Sequence, residues 1–166
     1  MTLMIISFLF YVYYFYNMIN KLSSHIKNSI DTIIRLMNAN NLVNDYYLLQ
    51  EIDDAKSSTI TFRRSYLIFL LIFPPSVIYI FYNIKLKFRK HAIHEYRAIY
   101  LIATKGIGHV KLLGGNIPKV ERLTEIILLS ILSLGLYLTY KWYDFSRHLE
   151  EHLKSYNTWY ITSSLG

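Results

Sequence analysis

The residues best suited to chemistry lie near the end of the chain, where histidines and acidic residues have the spacing of a metal site on a helix. The segment His148-Leu149-Glu150-Glu151-His152 has the order His-x-x-Glu-His. In that arrangement two histidines one helical turn apart bind Zn²⁺ and the glutamate acts as a general base. Asp144 lies four residues earlier, so Asp144, His148 and His152 share one side of a helix. They extend over about 12 Å of helix axis, so one ion reaches at most two neighbouring members and takes its other donors from elsewhere.

His25 and Glu125 are the remaining candidates for such a donor. His91 and His94 lie three residues apart beside Glu95, and they can bind metal or phosphate if the segment is helical. The chain contains no cysteine, which excludes a thiolate nucleophile, a disulfide framework and a cysteine-ligated cluster. Solvated surface histidines explain these residues more simply. The sequence therefore predicts no catalytic residue and no cofactor, with a metal-binding subunit of a membrane enzyme as the alternative.

The elements that must position these residues are dominated by three apolar blocks. Hydrophobic residues make up 53% of the 166 residues, and they are gathered near 3–20, 65–84 and 123–143 with the charges between them. About 20 apolar residues are needed to cross the hydrocarbon of a bilayer. The pattern predicts an all-α integral membrane protein, with about three transmembrane helices in a single domain over 1–166. Pro74 and Pro75 predict a kink or break in the second block, with a re-entrant hairpin as the alternative.

The segments between the blocks have the pattern of amphipathic surface helices. Apolar residues at helical spacing mark one stripe from Ile26 to Met37, and Asn38, Asn40 and Asn41 are expected to interrupt it. A second apolar patch extends from Tyr46 to Ile52. Several of the 16 tyrosines lie at the ends of the apolar blocks, where such rings anchor a protein at the membrane–water boundary.

The most basic part of the chain is 85–122. We expect its first residues to face lipid headgroups or a partner subunit rather than nucleic acid: Lys85, Lys87, Arg89, Lys90 and Arg97. Three crossing spans would place 85–122 on one side of the membrane, and 21–64 and the tail on the other.

The chain also has an internal repeat, with units near 1–60, 61–118 and 119–166. An offset of 58 residues aligns Tyr79 with Tyr137 and His94 with His152, while His25 and His91 each follow a tyrosine by nine residues. The run Leu132 to Tyr143, followed by Leu149-Glu150-Glu151-His152, resembles the DUF4234 membrane domain, although Ser133 stands where that family usually has threonine. The resemblance implies a prokaryotic, archaeal-type cell membrane protein and carries no activity with it. An organelle inner membrane is the alternative.

Taken together, these features predict a non-catalytic accessory or scaffold subunit of a larger membrane complex, in contact with lipids and other membrane subunits. Glu125 and Lys141, each near an end of the third block, are the only charged residues within the predicted spans, which argues against an ion path through the bilayer. A metal-binding enzyme subunit and a small homo-oligomeric channel or carrier are the alternatives.

Overall fold

The computed structural model describes residues 2–59, 76–105, 119–133 and 136–163, and within them the side chains from residue 12 to residue 154. All regular structure in these residues is helical, which confirms the predicted all-α class. The helices are α1 (Thr2–Ala39), α2 (Tyr46–Ser57), α3 (Ser76–Lys105), α4 (Leu123–Leu132) and α5 (Leu136–Ser163).

Helix α1 runs without interruption through the first apolar block and the polar stretch after it, because it contains neither glycine nor proline. Its predicted apolar stripe is buried from Ile26 to Met37. The helix ends at Ala39 and its capping turn closes at Asn41, within the asparagine cluster that was expected to interrupt it. Asn41 has φ 56°, its N–H bonds to the carbonyl of Asn38, and the next N–H, of Leu42, reaches back to Met37. This is a Schellman ending, which requires a residue that tolerates the left-handed conformation.

Helix α2 begins at an N-cap, where the Asp45 carboxylate accepts a hydrogen bond from the Leu48 N–H at 3.1 Å. It then runs antiparallel to α3. Asp45 pairs with Lys105 near the end of α3, and the carbonyl of Thr59, just past α2, accepts a hydrogen bond from Lys87 nearer its start. The amphipathic helix predicted here is therefore present, and it packs on the bundle rather than standing apart.

Helices α1, α3 and α5 pack in parallel and in register. The rings of Phe15, Phe81 and Trp142, one from each helix, form an aromatic layer, in which the centroids of Phe15 and Phe81 lie 5.0 and 4.9 Å from that of Trp142. Ten residues later on the same helices, the rings of His25, His91 and His152 meet in the same way. Equivalent residues therefore lie 66 and 61 positions apart along the chain, and not at the predicted offset of 58.

The third apolar block is a helical hairpin rather than the single span predicted over 123–143. Helix α4 ends at Leu132, and α5 starts at Leu136 with its Tyr137 N–H bonded to the Ser133 hydroxyl at 2.9 Å. Glu121 comes just before α4 and its carboxylate pairs with Lys141 of α5 at 2.8 Å, so the chain returns to the level from which it started. A serine able to cap the second helix explains the break within an apolar sequence.

The parallel packing also contradicts the predicted orientation, because it places 21–39, 85–105 and 141–154 at the same end of the bundle. In the residues that the structure describes, no helix combines the length and apolar character that crossing a membrane requires. The predicted second span over 65–84 falls outside those residues as far as residue 75, and so does the kink predicted at Pro74 and Pro75.

Candidate metal centre

Three histidines and a glutamate meet between α1, α3 and α5, ten residues after the aromatic layer. His25, His91 and His152 come from the three helices, and Glu95 lies one turn after His91. We call these four side chains the His–Glu layer. Each histidine follows a buried apolar residue by three positions, Leu22, Phe88 or Leu149, so the helical period turns it toward the core.

The Glu95 carboxylate is the centre of the layer. Its Oε2 lies 2.9 Å from His152 Nε2 and 3.7 Å from His91 Nε2, and its Oε1 lies 4.0 Å from His25 Nε2. Ser29, one turn after His25, donates a hydrogen bond from its hydroxyl to Oε1. One carboxylate therefore faces side chains from all three helices.

Three of the four side chains of the layer are buried, and the fourth, His152, is 11% exposed. Glu95 is 3% exposed, His25 is 5% exposed and His91 is fully buried, while the ring of Phe88 packs edge-on against His152 with centroids 5.2 Å apart. Among the residues that the structure describes, neither ring nitrogen of His91 makes a hydrogen bond. A buried polar group left in this way costs about 1–3 kcal/mol, a cost that a bound ligand removes.

The charges of the layer suit a cation. Burial lowers the pKa of His25 from 6.5 to about 4, although the nearby Glu95 opposes the shift. Burial likewise lowers the pKa of His91. Burial by itself would raise the pKa of Glu95, but the hydrogen bond with His152 and the neighbouring imidazoles outweigh it, and the pKa is lowered. At neutral pH the layer thus presents an anionic Glu95 carboxylate beside the neutral imidazoles of His25 and His91, the protonation states in which these groups bind metals.

The donor atoms are close enough to share one ion. One ligand atom from each of His25, Glu95 and His152 lies within 4.8 Å of the others. Ligands bonded to a tetrahedral ion at about 2.0–2.1 Å are about 3.3 Å apart, so an inward movement of about 1 Å completes the set. Imidazole and carboxylate donors favour Zn²⁺, Fe²⁺, Cu²⁺ or Ni²⁺ over Ca²⁺ and Mg²⁺.

A surface cleft of about 510 Å³ opens beside the layer and has His25 among its lining residues. Its other walls are polar side chains of α1 and one leucine of α5: Asn17, Asn20, Lys21, Ser24, Asn28 and Leu153. The cleft gives an ion or a small molecule a route from solvent toward the imidazole of His25.

The structure separates the three metal candidates of α5. His152 joins the His–Glu layer, whereas His148 is 35% exposed and lies 3.6 Å from Asp144 and 3.5 Å from Glu151 at the surface. His152 lies beside donors from the other two helices, and one of them is His25, which the sequence offers as a candidate. The other donor proposed by elimination, Glu125, is an exposed residue in the first turn of α4.

The other predicted residues lie at the surface of α3 or in ion pairs. His94 approaches Glu51 of α2 at 2.5 Å, and Arg97 is 3.8 Å from the same carboxylate. Lys90 pairs with Asp54 at 3.6 Å. Lys85 is 4% exposed and pairs with Glu121, so it does not face lipids or partners; Lys87 and Arg89 are exposed.

The sequence contains a signal for the layer that the 58-residue offset conceals. His25, His91 and His152 each follow a tyrosine by nine residues, namely Tyr16, Tyr82 and Tyr143. The offset of 58 aligned His152 with His94, one helical turn away from its structural equivalent. Glu95 has no equivalent acid in α1, where Ser29 occupies its position, so pattern alone does not distinguish it.

No protein family, curated protein or solved structure was found to match this chain. The resemblance to the DUF4234 domain therefore stays a prediction, and the functional argument depends on the geometry of the site.

Proposed function

We propose that this protein is a membrane-attached subunit that binds one divalent transition-metal ion in the His–Glu layer. The observation that carries the proposal is the convergence of His25, Glu95 and His152 within 4.8 Å in the core of the bundle. His91 lies outside this set of three donors, although its Nε2 is 3.7 Å from the same carboxylate. The proposal replaces the expectation that the protein has no cofactor, and it assigns binding rather than a reaction.

The choice of metal follows from the donors. Two imidazoles with one carboxylate match sets that hold Zn²⁺ with an open position for water, and also the two-histidine, one-carboxylate sets that hold Fe²⁺. The Ser29 hydroxyl bonded to Glu95 is a supporting contact of the kind that orients a metal-ligating carboxylate. Because the chain contains no cysteine, the ion would be held by nitrogen and oxygen donors alone. Burial of the layer favours its retention.

The test is metal content and coordination in the purified protein. After treatment with a chelator, the protein in mild detergent should take up one equivalent of Zn²⁺ or Co²⁺, measured by elemental analysis and by the visible absorption of bound Co²⁺. His152→Ala and Glu95→Gln should each abolish uptake. His148→Ala is the matched control, because it removes a surface histidine one turn earlier on the same helix.

Circular dichroism must show that each variant keeps its helical content. The absence of uptake by the folded wild-type protein would contradict the proposal and leave the layer as a buried hydrogen-bonded network. Equal loss on changing His148 would place the metal at the surface of α5 instead.

We also propose that the protein is an accessory subunit of a membrane complex. The supporting observation is an apolar surface at the start of α2, where Val43, Tyr46, Tyr47 and Leu49 are 48, 73, 66 and 44% exposed. Tyrosine is one of the residue types that are enriched at protein interfaces. A photo-crosslinking residue at Tyr46 should capture a specific membrane subunit in the native host, whereas the same residue at Lys56 should not. A protein that purifies from membranes only as a free monomer would contradict this role.

A further inference from the structure

A ring of exposed tyrosines surrounds the bundle at the aromatic layer. Tyr13, Tyr79 and Tyr140 each come two residues before the aromatic layer in their own helix, and they are 63, 61 and 60% exposed. Tyr16 and Tyr143 come one residue after it and are 45 and 68% exposed. Because α1, α3 and α5 are parallel and in register, tyrosines from three distant parts of the sequence lie at one level. We call these five residues the tyrosine ring.

Charge is divided sharply across the tyrosine ring. On the side of the helix starts, the sequences of 2–12, 76–78 and 126–139 contain no charged residue. On the other side, exposed basic residues follow within about two to three turns: Lys21 of α1, and Lys87, Arg89 and Lys90 of α3. Aromatic rings between an apolar zone and a basic zone are the arrangement found at the surface of an anionic membrane. The tyrosines come from all three helices, whereas the basic residues lie on α1 and α3, and α5 continues past the ring with the ion pair of Asp144 and Arg147.

The α4–α5 hairpin has the length of a single leaflet. Helix α4 has 10 residues, which extend about 15 Å, half of the roughly 30 Å of hydrocarbon in a bilayer. The most exposed aliphatic side chains of the hairpin lie around its turn, where Ile131, Leu132 and Leu136 are 67, 72 and 75% exposed. The contact of Glu121 with Lys141 brings the chain back to the level of the tyrosine ring. The hairpin therefore begins and ends at one level with its most apolar part between.

We propose that this end of the bundle docks into one leaflet of an anionic lipid bilayer. The tyrosine ring lies among the headgroups, the α4–α5 hairpin enters that leaflet without crossing to the other, and α1, α3 and α5 all leave on the same side. The His–Glu layer, ten residues beyond the aromatic layer, then stands in the protein on the aqueous side, about 15 Å from the headgroups. The inference rests on the proposed membrane attachment and is independent of metal binding.

The absence of cysteine in the chain allows the arrangement to be measured directly. Single cysteines replacing Tyr13, Tyr79, Tyr140, Leu132 and Lys27 are spin-labelled and reconstituted into vesicles of phosphatidylcholine and phosphatidylglycerol. Comparison of collisions with oxygen and with a water-soluble nickel complex gives the depth of each label. We expect the three ring labels at equal depth near the phosphates, the Leu132 label about 15 Å deeper, and the Lys27 label in water.

The side of the membrane is tested with a membrane-impermeant maleimide. Cysteines replacing Lys27, Arg89 and Glu150, which are exposed residues of α1, α3 and α5, should react to the same extent from the same side of sealed vesicles. Three crossing spans would instead protect the Arg89 position when the other two react. Circular dichroism of each labelled variant checks that the helices are intact.

The outcomes separate this inference from the proposed function. Protein that does not float with the vesicles overturns membrane attachment, and this inference with it. Protein that floats but has its Leu132 label beyond the bilayer centre, its ring labels at unequal depths, or its Arg89 position on the opposite side overturns the one-leaflet arrangement alone.

Discussion

Acidification should destabilise the metal-free protein through the His–Glu layer, because the folded state holds His25 neutral. The pKa of His25 is about 4 in the folded protein and 6.5 when the side chain is in water. The unfolded chain therefore binds more protons between these values, and the free energy of unfolding falls as the pH is lowered from 6.5 toward 4. Integrating over the interval from pH 7.5 to pH 5 gives a loss of about 2 kcal/mol from His25 alone. His91, whose pKa is also lowered, acts in the same direction.

The assay is denaturant unfolding at pH 7.5 and at pH 5, followed by circular dichroism in detergent with chelator present. His25→Gln removes the titrating group and should reduce the pH-dependent loss by about 2 kcal/mol, whatever its effect on stability at pH 7.5. His148→Gln is the matched control, since that side chain is 35% exposed and lies outside the layer.

The reasoning is refuted if the wild-type protein is equally stable at pH 7.5 and pH 5, or if His25→Gln loses as much stability on acidification as the wild type. Glu95 does not obscure the result. Its pKa is lowered below its usual range, so its contribution to stability is lost at pH values below this interval.

Two further predictions concern the packing around the layer. Glu121→Gln should lower the free energy of unfolding by about 3 kcal/mol, because it leaves the buried ammonium of Lys85 without its carboxylate. Adding Lys85→Met should recover most of that loss. Denaturant midpoints measure both effects, and an unchanged midpoint in Glu121→Gln would contradict the role of the pair. Trp142→Ala should lower the free energy of unfolding by about 3–5 kcal/mol, because it removes the side chain that contacts both phenylalanines of the aromatic layer. The neighbouring Tyr143 is exposed, so Tyr143→Ala should change the free energy of unfolding in detergent by less than about 0.5 kcal/mol. Equal effects at the two positions would show that the aromatic layer is not the core of the bundle.

Local features of the fold were accessible from the sequence because each depends on neighbouring residues. The stripe from Ile26 to Met37 and the ending at Asn41 follow from helical periodicity and from the backbone tolerance of asparagine. The break at Ser133 was missed, because an apolar run of suitable length is indistinguishable from a span until the return of the chain toward Glu121 is known.

The candidate site was only partly accessible for a different reason. Its donors lie on three helices, and their relation depends on the register in which those helices pack. His152 is a candidate from its spacing with His148, but Glu95, which it contacts, and His91 of the same layer lie in a basic segment that reads as surface. An error of one helical turn in the repeat was enough to separate them.

Because the His–Glu layer joins three helices, an ion bound there would also act as a cross-link between them. The chain has no cysteine and cannot form a disulfide. His25, Glu95 and His152 are separated by 70 and 57 residues, so an ion bonded to all three would close two long loops at a single point. By the chain-entropy estimate used for disulfides, each closure of this length restricts the unfolded chain by about 4 kcal/mol. Metal supply would then control how firmly the three helices are joined, and a chelator would act on this protein as a reducing agent acts on a disulfide-bonded one.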